Sequence, residues 1–384
     1  MDPRVACIES ERGFRALRDE WNDVLARSGS NNLFLTWEWV STWWELYGAG
    51  GRLYVLTARD EAGLLVGLAP LQRRRRRVLG VGAVDVLEFI GYGGDVTPEQ
   101  LDLIVARGLE STITPAFIAY VEDDAEIRGI DLRPFAATSP NIQYVEAALR
   151  TVRGHLHRHP DSVCPVLPLP ATREEFLAGR SKNYRKKMGE YQRRCERDLG
   201  AKVRLSATEE ELERDMSSLV VLHHKRWQGK SRAFRTPAYI EFHRRFARRL
   251  FDRGWVRMFA LDSPQGPLAM LYCFAYADRY YFYQAGRDPD CNKHRVGLVI
   301  MHKAIEQAIA EHAHVFDFLR GDEDYKYTWA AEEVKAVRLA HWKTWPAWAV
   351  GRLAMVLAGA HASFASSSSA AFALIGTWSG LGPQ

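Results

Sequence analysis

Between residues 255 and 329 the order of apolar runs and breakers leaves few folds open. Residues 255–261, 268–276 and 280–285 each have strand length, and Asp262-Ser263-Pro264-Gln265-Gly266 makes a tight turn between the first two. They predict an antiparallel meander. A loop rich in Asp, Lys and Arg follows at 286–296. Gly297 then opens a helix whose buried face is Leu298, Met301, Ile305, Ala308 and Ile309, and a further strand is expected at 315–319. Three meandering strands, a helix and another strand form an α/β pattern unlike a doubly wound parallel sheet. The succession of strand, basic loop and helix start also has a chemical meaning. The first N–H groups of a helix lack partners and its dipole favours an anion, so this unit can hold a phosphate.

The rest of the chain is read as support for that unit. Its 384 residues exceed what one core usually serves, so two domains are expected, 1–162 and 163–345, with a tail at 346–384. In the first half, helices are expected at 14–27 and 36–47, the latter capped by Thr36 and carrying Trp37, Trp39, Trp43, Trp44 and Tyr47 as core aromatics. A hairpin at 53–59 and 64–70 leads into Arg73–Arg77 and a strand at 84–90. Five adjacent cations cannot share a core, so they are placed in an exposed loop or strand end, either as a solvated turn or as a contact to an anionic substrate or bilayer. A helix at 98–110, a strand at 116–121 and a helix at 141–150 complete the half. His155, His157 and His159 alternate as they would on one side of a strand, without the companion residues that would complete a metal site. The Pro-punctuated run 163–169 reads as an inter-domain connection.

The second half then predicts a helix from Thr172 to near Gly179, a basic amphipathic helix at 181–199 with Tyr184, Met188, Tyr191 and Cys195 on one stripe, a strand at 201–205, and helices at 209–227 and 236–251. Hydrophobic residues make up 47% and charged residues 26%, enough for a core and against disorder. The net charge of +5 is modest but clustered, which points to anionic partners. Five scattered cysteines without C-x-x-C spacing suit a reduced cytoplasm. The charged N-terminus is unlike a signal peptide, and no apolar window reaches membrane-spanning length. The nearest, 345–357, reads as a closing helix or an interfacial segment. No G-x-G-x-x-G in a βαβ context, Ser-His-Asp signature or H-E-x-x-H is present.

This order and its motifs resemble the Gcn5-related N-acetyltransferase (GNAT) superfamily, and within it the CelD/BcsL-like acyltransferases of polysaccharide biosynthesis, which are similar to FemAB peptidyltransferases. The resemblance rests on LFLTWEWVSTWWELYG, LVGLAPL and FIGYGGD in the first half. In the second it rests on SKNYRKKM, LHHKRWQGKSRAF, YYFYQAGRDPDCNKHRVG and FDFLRGDEDYKYTW. It implies an α/β (α+β) fold of two tandem GNAT-like domains, each a mixed, mainly antiparallel sheet flanked by helices, the second carrying the acyl donor. It further implies acyl transfer, N- or O-acetyl from acetyl-CoA, to a sugar, polysaccharide or cell-envelope precursor.

The superfamily's pyrophosphate loop, Arg/Gln-x-x-Gly-x-Gly/Ala, falls on Asn292, Arg295 and Gly297, so only the last glycine is kept. Lys293, His294, Arg295, Val296 and Gly297 are the expected donor-binding residues, with cationic side chains taking over from backbone. Acyl transfer needs a base, oxyanion donors and an acid. Asp317 is the expected base or Lys orienter, Tyr325 the proton donor and Lys326 the electrostatic stabiliser. The alternative for these three is that Asp317 pairs with Lys326 structurally while Tyr325 packs. Arg185, Arg226, Trp227, Asp322 and Glu323 are expected on the acceptor side. No metal and no DNA partner is expected. Two rival readings stay open: FemAB-like transfer from aminoacyl-tRNA, and a non-catalytic accessory protein of a polysaccharide-synthesis complex. The expected setting is the cytoplasm, with peripheral contact to the inner membrane.

Overall fold

The computed structural model describes residues 3–78 and 82–343. The run 345–357 and the tail 346–384 lie outside the described residues. The described residues form two compact units: one from residues up to Ser162 together with 335–343, the other Val163–Val334. The expected second domain, 163–345, and the second unit share their start.

The first unit contains β1 (Arg4–Ile8), α1 (Glu11–Ala16), α2 (Arg18–Arg27), α3 (Trp37–Tyr47), β2 (Gly51–Arg59), β3 (Leu65–Val78), β4 (Gly82–Phe89), β5 (Ile104–Val105), α4 (Glu110–Asp123), β6 (Ile127–Ala136), α5 (Ile142–Thr151) and the start of β7 (His155–Pro168). The second contains α6 (Arg173–Ala178), α7 (Lys182–Leu199), β8 (Lys202–Leu205), α8 (Glu209–Trp227), α9 (Pro237–Phe251), β9 (Val256–Ser263), β10 (Gly266–Tyr276), β11 (Arg279–Arg287), α10 (Val296–Ala310), β12 (Val315–Asp317) and α11 (Asp324–Tyr327). A last strand, β13 (Glu332–Trp342), pairs with β6 of the first unit.

Each unit is a mixed, mainly antiparallel sheet flanked by helices. In the first the order is β1-β2-β3-β4-β6-β13, with only β4 and β6 parallel. In the second it is β7-β12-β11-β10-β9-β8, with only β11 and β12 parallel. The tryptophan-rich helix α3 packs as a core element. Thr36 Oγ1 caps it by accepting from Trp39 N, and Trp39 and Trp43 are fully buried. The α8 boundaries fall where the sequence puts them, since Thr208 caps an acidic first turn and Gln228 closes the helix in the left-handed region.

Four expectations differ from the structure. The helix expected at 98–110 is irregular chain around β5. Its backbone finds distant partners, Leu101 N donating to Pro134 O at 2.7 Å and Ala106 N to Val66 O at 2.9 Å. The strand expected at 116–121 lies in α4, where Ile113, Phe117, Ile118 and Val121 are buried at helical spacing. The arginine run, expected at an exposed loop or strand end, is the second half of β3, paired with β4 residue by residue, and Arg73 is buried there rather than exposed. Strand alternation sends Arg73 to Asp85 and Glu126 and Arg76 to Glu88 and Asp131, so neighbouring cations face opposite ways. Finally, the run expected as a connection, 163–169, is mostly strand: residues up to Pro168 complete β7, with Leu167 opposite Phe316 of β12. His155, His157 and His159 do alternate along β7, the last two with ring centroids 6.1 Å apart. No helix among the described residues is long and apolar enough to cross a membrane.

The returning strand β13 is held by a buried ion pair that sequence patterning does not reveal. Arg338 donates from Nε to Asp131 Oδ1 and from Nη2 to Oδ2, both at 2.7 Å. Burial alone would raise the Asp131 carboxyl. Arg338, then Arg133 and Arg76, more than reverse this and leave it below its ordinary value. A depressed carboxyl stabilises the fold above its unfolded pKa of about 3.9 and loses that contribution as pH falls through the folded value. Asp131→Asn is therefore expected to cost about 3–5 kcal/mol at pH 7 by urea denaturation, because Arg338 is left buried and unpaired. The gap to wild type should narrow as the pH is taken towards 3, and an unchanged midpoint at pH 7 would contradict the assignment.

Candidate functional site

The site is built where two parallel strands part. β11 and β12 pair only at Arg279–Val315, Tyr280–Phe316 and Tyr281–Asp317, after which β11 runs on to Arg287 without β12. A bulge sits at the parting. Tyr272 of β10 faces Gln284 and Cys273 faces Phe282, which leaves Tyr283 as the extra residue. On one side of this stretch α8 comes in so closely that a Cβ on Gly286 would meet His223 N at 2.7 Å and Leu219 O at 2.9 Å. Gly286 is thus required by contact, not by turn geometry.

Just beyond β11, residues Pro289–His294 make a 3-10 turn tied to α8 by Lys225, whose Nζ lies 2.6 Å from Asp288 and 3.0 Å from Asp290. The chain then enters α10 through Arg295 at φ 58°, the left-handed conformation that a glycine would adopt most easily. No side chain caps α10 and no acidic residue occupies its first turn, so its first N–H groups and dipole remain available to an anion. Arg287 lies against this helix start. A Cβ on Gly297 would meet Arg287 Cδ at 3.2 Å and Nε at 3.7 Å. Burial, then the nearby Arg226 and Arg295 guanidiniums, push the Arg287 guanidinium down to about 10. Three arginines from the end of α8, the end of β11 and the start of α10 therefore gather where the helix dipole is already positive.

The sequence-expected residues divide between this place and elsewhere. Arg226 and Trp227 are here, the Arg226 guanidinium 4.8 Å from the Trp227 ring centroid. Burial lowers the Arg226 guanidinium, while Tyr325 and Glu323 act the other way, which puts both of those residues within its field. Burial and Glu323 raise the Tyr325 phenol, so it keeps its proton. Of the five loop residues, Arg295, Val296 and Gly297 form the helix start. Lys293 is exposed with its carbonyl taken by Arg194, and His294 is buried towards Asp198 of α7 at 3.7 Å. Asp322 is exposed. Arg185 sits on α7 and donates to Leu177 O at 3.2 Å.

Asp317 and Lys326 do not pair with one another by hydrogen bonding. Asp317 is buried, accepts from Arg279 Nη1 at 3.1 Å and from Leu319 N at 2.8 Å, and is raised by burial against the pull of Arg279. Lys326 is 3% exposed, and its Nζ donates to the carbonyls of Leu319 at 3.1 Å, Arg320 at 2.5 Å and Gly321 at 3.4 Å, with Glu323 at 3.0 Å. Its ammonium thus fastens the loop after β12.

Two residues escaped the sequence reading. Arg287 ends the strand YYFYQAGR, and its position immediately before a basic loop was the available signal. His223 lies in the LHHKRW run near the end of α8, where residue type and spacing alone give it no role. It is 2% exposed and its Nδ1 lies 3.1 Å from Ala285 O on the parted stretch of β11. A carbonyl only accepts, so Nδ1 carries the proton and Nε2 is left as an acceptor. That Nε2 is buried without a partner among the described residues. Burial, opposed by the Ala285 bond and reinforced by Arg226 and His224, lowers the imidazole to about 4, so the ring is neutral at physiological pH.

Residues 182–327 match the family model of the acetyltransferase (GNAT) domain. Among solved structures, the chain is similar to FemX, with a TM-score of 0.62 and 10% identity over 84% of this chain and 95% of that one. It is also similar to a conserved protein of unknown function from Bacteroides thetaiotaomicron, with a TM-score of 0.55 and 11% identity over 88% of this chain and 100% of that one. A third is the C-terminal domain of a putative lysylphosphatidylglycerol synthetase from Agrobacterium fabrum, with a TM-score of 0.51 and 7% identity over 88% and 95%. No curated protein matches the chain. At these identities the structural likeness is one of fold, and the parted strands with a helix start beside them lie inside the matched segment. Residues 182–327 are a GNAT-type acyltransferase domain.

Proposed function

We propose that this domain transfers an acyl group, from acetyl-CoA or another acyl-CoA, to an amine or hydroxyl of a saccharide, polysaccharide or cell-envelope precursor in the cytoplasm, in the manner of the CelD/BcsL-like acyltransferases. The observation that carries this reading is the gathering of Arg226, Arg287 and Arg295 around the uncapped start of α10. Such a cluster suits the phosphates of a CoA donor, since guanidinium forks and free helix amides both recognise phosphate oxygens. The close approach of Arg287 to Gly297 fits as well, because a larger residue there would displace the guanidinium.

When bound, acyl-CoA supplies an activated acyl thioester. Arg226, Arg287, Arg295, Val296 and Gly297 would hold its phosphates, and Trp227 and Glu323 would meet the acceptor. His223 Nε2 accepts the nucleophile's proton, and the protonated Tyr325 is the proton donor. Asp317 and Lys326 are assigned to shaping the loop between β12 and α11, with Lys326 withdrawn from electrostatic catalysis. A second reading, transfer from aminoacyl-tRNA, is favoured by the exposed Lys182, Arg185, Lys186 and Arg193 on α7.

Calorimetric titration of the full chain with CoA, acetyl-CoA and aminoacyl-tRNA separates the donors, and binding of tRNA alone would reject the CoA reading. Arg287→Ala is expected to weaken CoA binding at least tenfold, consistent with about 1.5–3 kcal/mol for hydrogen bonds to a charged group. Arg185→Ala should leave that affinity unchanged. For His223→Gln, thiol release from acetyl-CoA with a panel of amino-sugar and polysaccharide acceptors should fall by about 10²–10⁴ while CoA affinity is retained. The wild-type acid limb should lie near pH 4, where the imidazole takes up its proton, and should vanish in the variant. Lys326→Met is expected to lower stability by about 1–3 kcal/mol per carbonyl left unsatisfied, read from urea denaturation. A fully stable but inactive Lys326→Met protein would instead restore its catalytic role.

A further inference from the structure

The first unit holds a second basic site, remote in sequence from the acyltransferase domain and independent of the reading given to it. Arg52 of β2, Arg73 and Arg75 of β3, Asp85 of β4, and Glu126 and Arg128 at the start of β6 line a depression of about 400 Å³ on one sheet face. That volume lies within the usual range for small-ligand sites. Four guanidiniums against two carboxylates leave the site positive.

Its floor is ordered and its rim is available. The Arg73 side chain is 9% exposed and held by Asp85, which accepts from Nε at 2.9 Å, and by Glu126. Asp85 also draws in Arg52 at 3.7 Å. Arg52 lies directly opposite Arg73 in the β2–β3 register, a like-charge pairing that costs stability in a sheet. Arg75 and Arg128 are exposed and form no ion pair among the described residues. A solvated sheet face would gain nothing from this convergence. A bound anion would relieve the repulsion and engage the planar donor forks of arginine, which match phosphate oxygens.

We propose that this depression is a binding site for a phosphate group, with Arg75 and Arg128 as its ligand-facing cations and Arg73 as its fixed floor. The same chemistry serves a soluble phosphate ester and a lipid headgroup, and the two are told apart by the probe. The full chain is titrated with pyrophosphate by calorimetry and, separately, sedimented with vesicles of phosphatidylglycerol or of phosphatidylcholine, at fixed ionic strength. Three variants are compared: Arg75→Ala/Arg128→Ala, Arg287→Ala, and the charge-matched Lys186→Ala/Arg193→Ala on α7.

The expected result is a pyrophosphate-binding event, or retention on phosphatidylglycerol vesicles alone, that persists in Arg287→Ala and in the α7 variant. It should weaken at least tenfold in Arg75→Ala/Arg128→Ala with an unchanged urea midpoint. The first readout assigns a soluble ligand and the second a lipid headgroup. Binding of both probes by Arg75→Ala/Arg128→Ala at wild-type strength overturns the proposal. An equal loss in the α7 variant also overturns it, since net charge alone would then explain the binding. So does the absence of any event that survives Arg287→Ala.

Discussion

Everything in the candidate site follows from the parting of β11 from β12. Parallel strands that stayed paired would spend the β11 backbone on a neighbouring strand, leaving no opening beside it. Here the pairing stops at Tyr281–Asp317 and the extra residue Tyr283 turns the strand. The freed stretch then takes other partners. Ala285 O meets the His223 imidazole, and Gly286 lets the α8 backbone close in. Arg287 is carried forward onto the start of α10. The loop beyond β12 must also be fixed for the opening to persist, and the Lys326 ammonium does this by bonding three successive carbonyls.

Charge is handled differently in the framework and at the start of α10. Buried ions in the framework come with partners: Asp131 with Arg338, and Glu306 with His302, Lys303 and Arg173. At the start of α10, by contrast, the charges acting on Arg287 among the described residues are the cations Arg226 and Arg295, and burial has already lowered its affinity for protons. Desolvating like charges together is costly, and an arrangement that bears that cost is better explained by a ligand than by packing.

The fold was legible in the sequence where elements announce themselves locally. The helix expected at 209–227 is α8 to the residue, and the apolar runs around Pro264-Gln265-Gly266 marked the β9–β10 hairpin. It was not legible where distant chain decides. The segment around Ile104 satisfies its backbone through Pro134 and Val66, and the AFIAYV run of α4 looks like a strand until its burial is known. In the site, Arg226, Trp227, Arg295 and Gly297 were expected from the family resemblance, and they lie together with Tyr325 and Glu323. Arg287 and His223 were missed because their significance lies in what surrounds them, one without a carboxylate and the other with a single free nitrogen. The direction of the Lys326 ammonium was equally hidden, since composition places a lysine in a loop but not its tip.

The central claim is that a phosphate-bearing donor binds at the parted strands and the start of α10. Hydrogen–deuterium exchange of the full chain with and without acetyl-CoA tests it most directly. Slowed exchange confined to residues 282–287 and 295–299, with the rest of the chain unchanged, is the predicted result. Saturating acetyl-CoA that protects another region, or none, would contradict the account.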